Sequence, residues 1–192
     1  MWIWLTVILG IVAVDQLSKH LVMNFLDREE PFVLIDGILR FSYVENDGAA
    51  MGMFGDHRWV FMIVSTVGII ALLIYLWKFP PESKLACTAI TMIIGGGIGN
   101  MIDRCFYMGT LPSTIGKNVV IDFIDFCAFP KIWPWVFNVA DSFVCVGAGI
   151  LMLWCVWSLV AEIKLEKAKK LAGDAEPEIG ETDSDSGNGE EQ

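Results

Sequence analysis

Long apolar segments alternate with polar ones along the chain. Four of them stand out, at about 2–24, 59–78, 85–104 and 135–160. Each is close to the roughly 20 residues that a helix needs to cross the hydrocarbon of a bilayer. The pattern predicts an all-α membrane protein with four transmembrane helices. The first segment lacks the basic start and small-residue cleavage site of a removable signal peptide, so we expect it to be retained.

A different pattern fills the segment between the first two helices. Residues 32–35 and 38–44 read as two strands on either side of Asp36-Gly37, which is a strong hairpin turn signal. We therefore expect a small β-sheet over about 31–58, on the outer face of the membrane. Residues 105–134 form a second outer segment.

The distribution of lysines sets the expected orientation. Lys78 and Lys84 flank the link between the second and third helices, and four more lysines follow the fourth helix at 164, 167, 169 and 170. Because cytoplasmic loops carry an excess of basic residues, we expect both regions, and both termini, on the cytoplasmic side.

Composition agrees with a membrane protein and divides the chain in two. Of its 192 residues, 55% are hydrophobic, and the net charge is −10. Residues 1–161 make up the predicted transmembrane domain. Residues 162–192 carry a basic helix end and then an acidic tail, which is too poor in apolar residues to fold and is expected to be disordered. Nothing in the sequence suggests nucleic acid binding, and we expect no metal ion or cofactor.

Polar side chains recur at one depth near the outer surface. Three helices and the second outer segment contribute them: Asp15 with Lys19, Asn100 with Arg104, Asn138 with Asp141, and Asp122. The first two pairs are spaced i,i+4, so each shares a helix face.

Simpler interpretations stay open for part of this set. Helix ends are often polar, and both Asp15 with Lys19 and Asp103 with Arg104 could be charge-neutralising neighbours. Asp103 is expected to point away from the face of Asn100 and Arg104. The glycine run at 95–99 is compatible with ordinary helix packing or with close approach of a substrate.

Asp122 and Asp141 are the most informative members of the set. A carboxylate at membrane depth costs free energy, which favours a functional role, and two that meet would suit acid/base chemistry. A proton-coupled transporter or channel is one alternative, although it predicts polar residues in the inner halves of the helices, which are almost bare. A non-catalytic assembly factor is another.

Five stretches, taken in order, resemble the lipoprotein signal peptidase family, the type II signal peptidases of bacteria. They are VDQLSK (14–19), ENDGAAMG (45–52), GGIGNMIDR (96–104), VIDFI (120–124) and FNVADS (137–142). The resemblance covers about residues 11 to 155, and its strength lies in the order and spacing of the five.

The resemblance implies an activity and a site. The family removes the signal peptide from prolipoproteins, cutting just before a cysteine that carries a diacylglyceryl group, and uses an aspartate pair. Asp122 and Asp141 match that pair, although Asp125 lies close enough to compete with Asp122. The supporting polar residues by the same resemblance are Asp15, Lys19, Asn46, Asn100, Arg104 and Asn138. We expect a monomer in the bacterial cytoplasmic membrane, with its active site near the extracytoplasmic face.

Overall fold

Four helices occur in the part of the chain that the computed structural model describes, residues 2–48 and 58–173. They are α1 (Trp2–Phe25), α2 (Arg58–Lys78), α3 (Lys84–Phe106) and α4 (Val139–Gly173). Each overlaps one of the four apolar segments, and α4 continues past the predicted end near residue 160. The second half of the ENDGAAMG stretch and the acidic tail beyond residue 173 lie outside the described residues.

The helices have the length and surface of a membrane protein. Within the described ranges, three are long and apolar enough to cross a bilayer: Trp2–Phe25, Lys84–Phe106, and Val139–Lys170 of α4. Helix α2 has a shorter apolar stretch, Met62–Lys78. Large apolar side chains such as Leu9, Ile63 and Leu153 are exposed on these helices, which suits contact with lipid and not with water.

The start of α4 differs from the prediction. The helix begins at Val139 and not near residue 135, because Val136 and Phe137 form a strand. Asn138 then caps the helix, since its Oδ1 accepts a hydrogen bond from the N–H of Asp141 at 2.9 Å.

The sheet is larger than the sequence indicated. Four antiparallel strands lie in the order of the chain: β1 (Phe32–Ile35), β2 (Leu39–Asn46), β3 (Val120–Phe126) and β4 (Val136–Phe137). The predicted hairpin between β1 and β2 is confirmed, and Gly37 adopts the positive φ of 68° that its turn requires. The expectation of a sheet formed only between the first two helices is incomplete, because β3 and β4 come from the segment between α3 and α4.

Helix α3 lies at the centre of the larger of two compact units, Met1–Trp154. Its glycines permit close contacts on two sides: a Cβ at Gly95 would lie 2.9 Å from the side chain of Ile11 in α1, and one at Gly96 would lie 2.3 Å from the carbonyl oxygen of Ala140 in α4. The glycine run is thus used for packing between helices. The second unit starts at Cys155, and the side chains of its part of α4 are mostly exposed.

The sheet is fixed to the C-terminal end of α1 by a small core of its own. Tyr43, Val119 and Ile121 are buried there, and partly buried side chains of α1 and its following turn pack against them, among them Val22 and Leu26. This core holds β2 and β3, the strands that bring residues to the site.

Candidate active site

Asp122 lies in the middle of β3 and is almost completely buried. Both of its carboxylate oxygens accept hydrogen bonds from asparagine amides. Asn46, at the end of β2, donates to Oδ2 at 2.8 Å, and Asn138 donates to Oδ1 at 2.6 Å. Two neighbouring segments therefore orient this carboxylate.

Asp141 lies in the first turn of α4. Its Oδ1 accepts a hydrogen bond from Nδ2 of Asn100 at 2.7 Å, and its Oδ2 accepts one from the main-chain N–H of Asn138 at 3.3 Å. Since Asn138 also caps the helix through the N–H of Asp141, the two residues form a reciprocal capping pair. Asn138 thus contacts both aspartates, one through its side chain and the other through its main chain.

Asn100 connects this pair to the helices behind it. Its Oδ1 accepts hydrogen bonds from Nδ2 of Asn138 at 3.1 Å and from Nζ of Lys19 at 3.0 Å. An unbroken series of hydrogen bonds therefore runs from Asp122 through the two asparagines to Asp141 and Lys19.

Lys19 is fully buried between two carboxylates. Its Nζ lies 2.8 Å from Oδ2 of Asp15 and 2.7 Å from Oδ2 of Asp103. Asp15 in turn accepts a hydrogen bond at 2.8 Å from the N–H of Ala140, in the first turn of α4, and a Cβ at Gly99 would lie only 2.5 Å from its Oδ2. We call Asp15, Lys19 and Asp103 the buried charge cluster.

For Asp103 the sequence left open a charge-neutralising contact with Arg104 and did not indicate Lys19. The side chain of Asp103 is fully buried and paired with Lys19. Gln16, which the sequence analysis also missed, donates its amide to Asp103 at 2.7 Å and to the carbonyl of Gly99 at 3.1 Å. The signal that could have identified Asp103 was its spacing of four and seven residues from Gly99 and Gly96, which places it on the face of closest helix packing.

Arg104 lies on the other side of Asn100. Its guanidinium donates to the carbonyl oxygen of Asn100 at 3.3 Å. Together with Asp141 and Ser65 it lines a cavity of 280 Å³ bounded by α2, α3 and α4. The positive charge of Arg104 is therefore next to Asp141, at a position where a ligand could enter.

Burial and a neighbouring carboxylate control the proton affinity of Asp122. Burial raises its pKa first, and the charge of Asp141 raises it further. The amides of Asn46 and Asn138 and the charge of Lys19 act in the opposite direction, and the result is a pKa of about 7 against an ordinary 3.8. Asp122 can therefore hold or release a proton near neutral pH.

Asp125 has a different environment from Asp122. Residues three apart in a strand point to opposite faces of the sheet, and Asp125 accordingly accepts hydrogen bonds from Nε of Arg40 at 2.6 Å and Oγ of Ser42 at 3.1 Å. These contacts belong to a partly exposed ion pair. The geometry thus joins Asp122, and not Asp125, to Asp141.

Glu45 is a second residue that the sequence analysis missed. It is buried beside Asn46 in β2 and accepts hydrogen bonds from the N–H groups of Thr110 and Leu111, at 2.9 and 3.0 Å to its Oε2. The signal available in the sequence was a single carboxylate at the end of an apolar strand, two residues after Tyr43. In the structure both side chains are buried on the same face of β2.

Two solved structures share this fold, and both are bacterial membrane enzymes determined by the in meso method. The first has a TM-score of 0.70 and 24% sequence identity, covering 83% of this chain and 90% of its own. The second has a TM-score of 0.68 and 25% identity, covering 81% and 93%. The class of protein that the fold defines is therefore a membrane protein.

Sequence comparison narrows this class to a family. The family described as Signal peptidase (SPase) II matches residues 7–157. The lipoprotein signal peptidase of Halalkalibacterium halodurans is 36% identical over 151 residues, which are 79% of this chain and 90% of the relative. That of Halothermothrix orenii is 37% identical over 148 residues, 77% and 91% of the two chains. The chain belongs to the signal peptidase II family, so it is a peptidase, and the resemblance found in the sequence is confirmed.

Proposed function

We propose that this protein is an aspartic endopeptidase that removes signal peptides from diacylglyceryl-modified prolipoproteins, cutting N-terminal to the lipidated cysteine. The family and the names of its relatives support the substrate. The observation that supports the aspartic mechanism is that Asn138 donates hydrogen bonds to both Asp122 and Asp141.

The two aspartates have different roles in this mechanism. Asp122 is the more buried, and its pKa of about 7 makes it the member that carries the proton. Asp141, which is less buried and lines the cavity with Arg104, is the ionised member. A pair of interacting carboxylates shares one proton and titrates as a unit.

The reaction then follows as general acid and general base catalysis. Asp141 accepts a proton from a water molecule, whose oxygen attacks the carbonyl carbon of the scissile bond. Asp122 donates its proton to the carbonyl oxygen as the tetrahedral intermediate forms. When that intermediate collapses, Asp141 gives its proton to the leaving amine. The carbon–nitrogen bond breaks as the carbonyl reforms, and Asp122 takes back the proton from the hydroxyl.

The remaining polar residues act through these two. Asn46, Asn100 and Asn138 orient the carboxylates, because their amides donate to them directly. Lys19 and Asp15 hold Asn100 and the start of α4 in place. Arg104 neutralises the charge that develops beside Asp141.

The proposed topology has four spans and both termini in the cytoplasm of a bacterial cell, and the protein acts as a monomer. Helix α2 has 21 residues, sufficient to cross a bilayer at 1.5 Å per residue. The lysines that flank the link between α2 and α3 and those near the C-terminal end of α4 support the orientation. The sheet and the aspartate pair Asp122 and Asp141, which we call the dyad, then lie near the extracytoplasmic face. There a lipid-anchored cysteine presents its peptide bond while the acyl chains stay in the bilayer.

Replacing either aspartate tests the mechanism. Asp122→Asn and Asp141→Asn should each lower the rate of cleavage of a diacylglyceryl-modified prolipoprotein at least about a thousandfold, since an amide neither shares nor transfers the proton. Cleavage is measured with purified full-length protein in lipid, and thermal unfolding verifies that each variant is folded. Full activity in either variant would contradict the aspartic mechanism.

A further inference from the structure

Glu45 is surrounded by hydrogen-bond donors although the mechanism above does not use it. Five groups donate to its carboxylate: the hydroxyls of Tyr43, Thr110 and Thr114, and the N–H groups of Thr110 and Leu111. Burial raises the pKa of Glu45, but the hydrogen bonds from Thr110 and Thr114 outweigh it and hold the pKa at about 2. The side chain is therefore an ionised anchor at every pH at which the protein works.

The anchor connects three segments that are distant in sequence. Thr110 and Leu111 belong to the segment between α3 and β3, and Glu45 belongs to β2. The hydroxyl of Thr110 also accepts a hydrogen bond at 2.6 Å from Arg28, which follows α1, and the guanidinium of Arg28 lies 4.9 Å from the ring centre of Tyr43. This arrangement fixes the end of β2 against its surroundings.

The position of Glu45 in β2 indicates which residue the anchor would hold in place. Asn46 is the last residue of the strand and follows Glu45 directly. Neighbouring residues in a strand point to opposite faces, so Glu45 faces the segment after α3 while Asn46 faces Asp122. Asn46 pairs with Val120, two residues before Asp122, so it lies diagonally across from Asp122 on the same face of the sheet, and its amide reaches the carboxylate at 2.8 Å.

We propose that Glu45 is a positioning residue for the peptidase reaction, which fixes the end of β2 so that the Asn46 amide holds Oδ2 of Asp122. The proposal rests on the assignment of Asp122 to the dyad. Strand ends fray readily because they have few cross-strand hydrogen bonds, and a charged group with five donors resists this.

The consequence is electrostatic as well as geometric. A hydrogen bond donated to a carboxylate favours its charged form, so the Asn46 amide lowers the pKa of Asp122. The other charges that act on Asp122 are Asp141 from α4, Lys19 from α1 and Arg104 from α3. If Asn46 moves away, the pKa of Asp122 rises, and the alkaline limb of the activity profile moves to higher pH.

Glu45→Gln tests this in the full-length protein, with cleavage of a diacylglyceryl-modified prolipoprotein measured from pH 5 to 9. We expect kcat to fall about tenfold with KM changed less than about twofold, since a charged acceptor is lost away from the substrate. The alkaline limb should move to higher pH. A wild-type pH profile, with activity reduced only in proportion to the folded fraction, would overturn the proposal.

Two further variants make the outcome decisive. Asp125→Asn removes a carboxylate with two donors from the same pair of strands, away from Asn46, and should leave the profile unchanged. An equal shift in Asp125→Asn would also overturn the proposal. If Glu45→Gln does not fold, Thr114→Val removes one of the five donors with little change of shape and should shift the limb less, in the same direction. An unchanged limb in Thr114→Val then counts against a positioning role.

The variant Asp122→Asn distinguishes a failure of the proposed role of Glu45 from a failure of the proposed peptidase mechanism. If that variant is inactive while Glu45→Gln keeps the wild-type profile, only the role of Glu45 fails. If Asp122→Asn remains active, the dyad assignment itself fails.

Discussion

Two groups of buried carboxylates lie within a few residues of each other and are held in different ways. In the buried charge cluster, Asp15 and Asp103 both contact the ammonium of Lys19, and all three side chains are inaccessible. In the dyad, Asp122 and Asp141 accept hydrogen bonds from asparagine amides and a main-chain N–H. Lys19 also donates to Asn100, so the two groups share one network.

The difference separates charges that are fixed from charges that can change. The ammonium of Lys19 and its two carboxylates have to stay paired, because either partner alone would be a bare charge in an apolar interior. Asp122 is held by neutral amides instead, and burial together with the nearby charge of Asp141 raises its pKa. The first arrangement suits a scaffold, and the second suits proton transfer.

Removal of the ammonium should have the largest effect on stability. Lys19→Met leaves Asp15 and Asp103 buried without their cation, and we expect a loss of about 3–5 kcal/mol in the free energy of unfolding. Thermal unfolding of the purified protein in detergent measures it. Lys117→Met is the matched control, because Lys117 pairs with Asp47 at 2.7 Å with about half of its side chain exposed and should cost less than about 1 kcal/mol. Equal losses in the two variants would mean that the cluster is not a scaffold.

The second prediction concerns the pH dependence of stability. The pKa of Asp122 is about 7 in the folded protein and near 3.8 when unfolded, so the folded state binds the additional proton between these values. This group therefore stabilises the fold fully below about pH 4, and its contribution is lost as the pH rises through 7. Asp122→Asn should remove that slope, so its melting temperature relative to wild type should be higher at pH 8 than at pH 4.5. Parallel curves for the two proteins would show that Asp122 does not carry the proton.

The smallest effect is expected at Asp125. Asp125→Asn loses a partly exposed ion pair with Arg40, which is worth less than about 1 kcal/mol after screening by solvent. Because its contacts lie on the face of the sheet away from Asp141, cleavage should stay near the wild-type rate. A loss of activity as large as that of Asp122→Asn would transfer the acid role to Asp125.

The helices and the dyad candidates were accessible from sequence because their signals are local. Runs of about 20 apolar residues define the helices, and Asp141 is a conspicuous charge inside such a run. Asp122 was found from its short apolar surroundings, VIDFI, and from the family resemblance. The pairing of β2 with β3 could not be predicted from the sequence. Val44 pairs with Asp122 from a distant segment, and no local sequence pattern identifies the partner of a strand. The start of α4 was misplaced for a related reason, because hydropathy does not distinguish the strand residues Val136 and Phe137 from helix.

The missed residues show the same limit at the level of side chains. For Asp103, sequence adjacency suggested only Arg104 as a neighbouring charge, whereas its ion pair lies across the interface with α1. Four of the five donors to Glu45 belong to a segment 65 to 69 residues further along the chain. Contacts of this kind depend on tertiary packing, so they cannot be identified from composition or from residue spacing.

The capping role of Asn138 has a consequence for the newly made chain. The same residue begins α4, donates to Asp122 and contacts Asp141, so the two acids meet only when this helix turn and β3 have come together. While the polypeptide is being threaded into the membrane, its aspartates are separate and have no shared proton. Under the proposed mechanism, hydrolytic competence would therefore arrive with the last helix, and an incompletely inserted chain would be inert.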